Sequence, residues 1–155
     1  MPHDRRPSAA LRTGQVRDLV TVAADFSHLV PGVVGVGVDV VDLVEFEHNL
    51  RVGGPRGLRK LFTEAELAAA GCQPERLGTR FAAKEAVVKA LGTGFRAGVS
   101  VRCVEIVSDP DGRPRVALAG AAAVAASARE VGEVRVSMSR EGDCAVAVAL
   151  AISSE

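Results

Sequence analysis

The chain has 155 residues, a formal net charge of zero, 48% hydrophobic residues and only 3% aromatics. That length suits a single domain. The neutral balance and the scarcity of rings argue against nucleic-acid binding, which needs a cationic surface or stacking platforms. Cys72, Cys103 and Cys144 lie far apart, in no zinc-ligand spacing, so reduced thiols are expected. With no signal-peptide pattern and no apolar run of membrane-spanning length, the expectation is a cytoplasmic protein with no membrane partner.

In chain order, residues 1–14 are polar with two prolines and should be loosely packed. Residues 16–30 carry apolar side chains at helical spacing and predict an amphipathic helix that ends before Pro31-Gly32. The domain division is therefore an N-terminal extension over 1–30 and the main domain over 31–155. Residues 33–41, dense in valine, predict a strand buried on both sides. Residues 42–51 read as a helix and 51–57 as a Gly/Pro loop. Thr63-Glu-Ala-Glu66 matches a capping box and opens a short helix to about residue 71. After a loop over 72–78 comes a run rich in Ala, Lys and Glu from Arg80, which predicts a long helix stopped by Gly92-Thr93-Gly94. Residues 99–107 predict a strand, Asp109-Pro-Asp-Gly112 a turn and 115–118 its partner strand. An alanine-rich helix is expected over 120–131. Strands over 133–139 and 144–152 should then form a second hairpin around Arg140-Glu-Gly-Asp143. Early helices and late paired strands make an α+β fold with a mainly antiparallel sheet and a long central helix.

Two places carry candidate chemistry. Glu85 and Lys89 are four apart, so they project from one helix face. Alone they could be a surface pair worth a few tenths of a kcal/mol. Asp39 sits inside an apolar run, where an acid is costly without a charged partner or a metal; the plainer reading is a cap on the next helix. His3, His28 and His48 show no ligand spacing and read as solvated or core residues. Arg51, Arg56, Arg59 and Lys60 form a basic cluster, either a solvated loop or a surface for an acidic partner.

Taken together, Gly35-Val-Gly-Val-Asp39-Val-Val, Leu61-Phe-Thr-Glu64, Arg80-Phe-Ala-Ala-Lys-Glu85-Ala and Lys89-Ala-Leu-Gly-Thr-Gly94 resemble the holo-acyl-carrier-protein synthase family of small 4'-phosphopantetheinyl transferases. The resemblance runs over roughly residues 33–152, with Glu105-Ile and Val136-Ser-Met-Ser139 where that family has later strands. It implies the phosphopantetheinyl transferase fold, a homotrimer with sites at subunit interfaces, and transfer of phosphopantetheine from coenzyme A to a serine of an acyl carrier protein. It places magnesium on Asp39 and Glu85, with Glu85 or a metal-bound water taking the serine proton and Lys89 facing the phosphates. Arg80, Lys84, Gly92, Thr93, Gly94 and Arg140 fall at coenzyme A positions, and Arg80 offers a fork that fits phosphate oxygens. The basic cluster would meet the acidic carrier.

Two positions depart from that pattern. Glu45 stands where the family has an arginine toward the carrier, a reversal that should repel an acidic partner. Arg140 replaces the histidine of a Ser-His pair, and an arginine there can still meet phosphate. Glu45 suggests a specialised carrier, for example one of polyketide metabolism, or a relative that binds carrier or coenzyme A without transfer.

Overall fold

In the computed structural model, which describes residues 30–155, the valine-rich run becomes strand β1 (Val33–Asp42). The polar start and the helix expected over 16–30 lie, apart from Val30, outside the described residues. β1 pairs antiparallel with β5 (Cys144–Ser153), which pairs antiparallel with β4 (Val131–Glu141), giving the sheet order β1-β5-β4. Strand alternation sorts the sheet into two unlike faces. Ala145, Ala147, Ala149 and Ala151 of β5 are buried, whereas Val146 and Val148 between them are each 39% exposed. The expectation that residues 33–41 are buried on both sides is corrected accordingly. Gly35, Gly37 and Val41 are buried, but Val36, Val38 and Val40 on the other face are only half-buried.

The buried face is small because a helix backbone lies against it. α3 (Pro74–Ala90) packs across β1 and β5. A Cβ on Gly37 would stand 2.7 Å from the Ala90 nitrogen, so glycine is what lets helix and strand backbones approach so closely. Ala82, Ala83, Ala86 and Ala90 complete the contact from the helix side, all essentially inaccessible.

The helices before α3 close the other side of the core. Asp42 caps α1 (Leu43–Leu61): its Oδ1 accepts from the backbone N–H of Val44 at 2.9 Å and of Glu45 at 3.0 Å. Leu43, Phe46 and Leu50 turn inward. The loop expected over 51–57 is not one. The helix continues to Leu61 and is interrupted only at Gly54 (φ 59°, ψ −161°), after which Pro55 restarts it. Proline suits a first turn, where no N–H is needed. α2 (Glu64–Ala70) carries the expected capping box between Thr63 and Glu66. α3 starts well before the expected residue 80, so 72–78 is not a loop either. Pro74 opens the helix, and Gly78 remains helical because the side chains of Leu43 and Phe46 pack where its Cβ would be.

The hairpin of β2 (Val104–Ser108) and β3 (Pro114–Leu118) forms a second, two-stranded antiparallel sheet. Its strand is shorter than expected, because Val101–Cys103 make a 3-10 turn. α4 (Gly120–Ala128) also ends early, and the chain turns at Glu130 (φ 56°) to begin β4. The α+β class, the antiparallel pairing and the central helix stand as expected. Among the described residues no helix is long and apolar enough to cross a membrane.

Candidate active site

Gly35, Gly37 and Asp39 lie two apart on β1, so they share the face turned to α3. The glycines bring the helix in, and Asp39 is carried to its flank. The Asp39 side chain is 14% exposed. It does not cap α1, since Asp42 does that. Lys89, in the last turn of α3, donates to Asp39 Oδ1 at 2.6 Å and to the Val38 carbonyl at 3.2 Å. The simple surface pairing of Lys89 with Glu85 is therefore not what the ammonium does. Glu85 stands one turn earlier on the same flank, half-buried. Burial raises the Glu85 carboxyl above its ordinary range, the negative Asp39 raises it further, and Lys89 opposes both. Asp39 is raised too, burial outweighing its hydrogen bond and charge contact with Lys89.

Two crowded carboxylates that resist ionising make a place where positive charge is favourable. Their donor set is hard oxygen, and among the described residues no cluster of three or more His, Cys, Asp or Glu surrounds them. Few protein ligands suit a cation that keeps waters and takes phosphate oxygens, as magnesium does.

Lys84, expected at the pyrophosphate, stands apart from this group. One residue turns the helix by about 100°, which points Lys84 into the seam between α1, α2 and β2. There it is fully buried, 2.6 Å from the Glu66 carboxylate and 5.0 Å above the Phe62 ring. Its other hydrogen bonds go to the carbonyls of Leu61 at 2.7 Å and Val101 at 3.3 Å. Glu66 is equally satisfied, accepting from the backbone of Thr63 and of Ile106. Burial pulls the Lys84 pKa down while Glu66 holds it up.

Arg80 lies five residues before Glu85, about 140° round α3, on the opposite flank. It is only 7% exposed, and its Nε has no hydrogen-bond partner among the described residues. Such an orphaned donor costs about 1–3 kcal/mol. Burial lowers its pKa and Glu66 raises it. Beside it, Arg76 lines an open cleft of about 330 Å³ with Gln73, Glu75, Thr79 and Arg140. Arg140 reaches that cleft from the edge strand β4, in register with Ala145. Arg76 and Thr79 were not foreseen. The signal for Arg76 is its spacing of four from Arg80, hidden once residues 72–78 are read as loop.

The amides of Gly92, Thr93 and Gly94 cap the end of α3, donating to Lys89 and Val88 carbonyls at 3.0–3.2 Å. That is a helix terminator's work. Arg51, Arg56, Arg59 and Lys60 are all exposed on α1 rather than on a loop. Arg51 pairs with Glu47 at 2.9 Å, and Arg59 approaches Glu64 at 3.9 Å. Glu45 is exposed in the first turn of the same helix.

A family model described as the 4'-phosphopantetheinyl transferase superfamily matches residues 35–149. A holo-[acyl-carrier-protein] synthase of Desulforudis audaxviator is 46% identical over 123 residues, which are 77% of this chain and 93% of that protein. The crystal structure of a holo-[acyl-carrier-protein] synthase from Neisseria meningitidis superposes with a TM-score of 0.70 at 32% identity, covering 77% of this chain and 98% of that one. A synthase from Bacillus anthracis, solved in complex with coenzyme A (3',5'-ADP), gives a TM-score of 0.65 at 31% identity over 79% of this chain and 98% of that one.

Proposed function

The chain belongs to the 4'-phosphopantetheinyl transferase superfamily as a holo-[acyl-carrier-protein] synthase, and from that premise we propose how its residues divide the work. The reaction moves 4'-phosphopantetheine from coenzyme A to a serine hydroxyl of an acyl carrier protein. The observation that carries the assignment of roles is the meeting of Asp39, Glu85 and Lys89 on one flank of α3. Asp39 and Glu85 would hold magnesium, which when bound neutralises charge on the pyrophosphate. Lys89, already turned to this flank, binds phosphate oxygens beside them. Glu85, half-buried beside Asp39 on this flank, or a water on the metal, is suited to accept the serine proton. Residues 31–155 form the transferase domain in this reading, and its setting is the cytoplasm.

Arg76, Arg80 and Arg140 would take the nucleotide's phosphates; Arg76 and Arg140 share the cleft, and Arg80 stands behind it with its buried Nε unpartnered among the described residues. They lie across α3 from the carboxylates, an arrangement that suits a coenzyme A molecule held between two chains. Two copies side by side bring the carboxylate flank of one to the arginine flank of the other. The apolar outer face of the sheet, with Val38 opposite Val148 and Val40 opposite Val146, supplies surface for such contact. A homotrimer with shared sites is the assembly proposed. Light scattering at micromolar concentration should return about three times the 16.1 kDa chain mass; a clean monomer speaks against shared sites.

The decisive assay incubates apo carrier proteins with coenzyme A and magnesium and weighs them. A gain of the phosphopantetheine mass is expected, and no gain on any carrier, with coenzyme A bound, would sink the transfer reading. The choice of carrier falls to α1, whose exposed Glu45 precedes the cations Arg51, Arg56, Arg59 and Lys60. A specialised carrier, such as one of polyketide metabolism, fits that mixed surface. Glu45→Arg should lower the KM for an ordinary acidic fatty-acid carrier while leaving kcat near its starting value, because rim charges act on association. Salt should erode the gain, since exposed charges are screened beyond about 8 Å. An unchanged KM would place Glu45 away from the carrier.

A further inference from the structure

Arg129, just past α4, sends its guanidinium to the far end of α3. Its Nη1 donates to the carbonyls of Leu91 and, at 3.5 Å, of Ala90; its Nη2 donates to the Val34 carbonyl of β1 at 3.3 Å. The first two carbonyls end a helix, where partners are lacking and the negative end of the dipole favours a cation. The third belongs to the strand that carries Asp39. One planar fork thus ties the last turn of α3 to β1, a geometry a single ammonium would not reproduce.

The tie is held firmly at its base. The Arg129 N–H donates to the Ala126 carbonyl at 3.1 Å, and the Glu130 carbonyl accepts from Ser154 N–H at 2.7 Å and Oγ at 2.9 Å. Gly92, at φ 71°, leaves the guanidinium its room: a Cβ there would lie 2.5 Å from Nη1. Further along β1 the same two elements meet again where Lys89 reaches Val38 and Asp39. On α3 both fastenings fall in the last turn, at Lys89 and at Ala90 and Leu91, and Glu85 stands one turn before them; on β1 they bracket the stretch from Val34 to Asp39.

We propose that Arg129 is a positioning residue for transfer: it holds the last turn of α3 against β1, so that Lys89 and Glu85 stand in register with Asp39. The inference rests on the proposed roles of those three residues. Its test uses the full chain carrying Arg129→Ala or Arg129→Lys, with transfer kinetics and backbone amide hydrogen exchange measured side by side. Arg129→Ala should lower kcat about ten- to a hundredfold, the range a small misplacement of reacting groups produces, with KM for the carrier unchanged. Exchange should quicken at Gly92, Thr93 and Gly94 but not across β4 and β5. Millimolar guanidinium should restore part of the rate, and Arg129→Lys should fall between the two. A folded Arg129→Ala protein with kcat within about twofold of the parent overturns the proposal. So does uniform quickening of exchange with a rate loss equal to the loss of folded protein. If Arg129→Ala does not fold, Arg129→Lys decides on the same readouts, and an unchanged kcat with unchanged exchange overturns it. A parent protein that transfers nothing refutes the assigned roles instead, while the exchange comparison still reports whether the tie exists.

Discussion

Asp39→Ala and Glu85→Gln should each lower kcat for transfer by about a thousandfold or more, with the fold left in place. A cation held by Asp39 and Glu85, as proposed, would supply several kcal/mol of charge stabilisation, and each ~1.4 kcal/mol is a factor of ten in rate. Removing either carboxylate would then take away one of the two proposed ligands. The fold should survive because neither side chain is a core element. Asp39→Ala gives up the contacts with Lys89, whose side chain is 37% exposed and can turn to water, and with the Val40 backbone. Glu85→Gln keeps volume and loses charge at a half-buried site. Turnover, thermal unfolding and magnesium binding in the presence of coenzyme A should be measured together. Near-parental turnover of either variant at saturating magnesium would refute the ligand assignment.

Lys84→Met should act on the other quantity, destabilising the chain by about 3–5 kcal/mol, the usual result of stripping one partner from a buried ion pair. Glu66 would keep its carboxylate at zero exposure with two backbone donors and no paired ammonium. For a chain of this size that loss corresponds to a melting temperature lower by about 6–20 °C. Adding Glu66→Leu should recover only part of it, since Thr63 and Ile106 would then lose the acceptor for their N–H groups. Urea unfolding of the single and double variants measures both steps. A loss under about 1 kcal/mol for Lys84→Met would show that the pair is hydrated and loosely held.

The contrast between neighbours 84 and 85 marks how far the sequence could be read. Local chemistry was legible. The capping box at Thr63 and Glu66, the hairpin turn at Asp109–Gly112 and the terminator at Gly92 follow from a few adjacent residues, and each stands where expected. The acid in the valine run and the pair four apart on a helix pointed to the carboxylate site. What could not be read depends on partners distant in sequence. Gly53-Gly54-Pro55 looks like a loop, yet Pro55 restarts a helix whose other half is held by the core through Leu43, Phe46 and Leu50. Gly78 looks like a breaker until Leu43 and Phe46 are seen against it. Lys84 resembles any lysine on an alanine helix until Glu66 faces it. Arg129 lies in no motif, and only the fold brings it to carbonyls 38 and 95 residues away. One clue was available early: glycines two apart ahead of Asp39 put backbone approach and acid on one face.

The separation of the arginine flank from the carboxylate flank around α3 has a genetic consequence. If sites are shared between copies as proposed, each chain serves two different sites, one with each flank. A lesion at Asp39 and a lesion at Arg80 then damage opposite halves of a junction. Two alleles, each inactive alone, would rebuild intact junctions when their products co-assemble, whereas two lesions on the same flank would not. Heredity would read the helix as two half-genes, divided along the line where its side chains change direction.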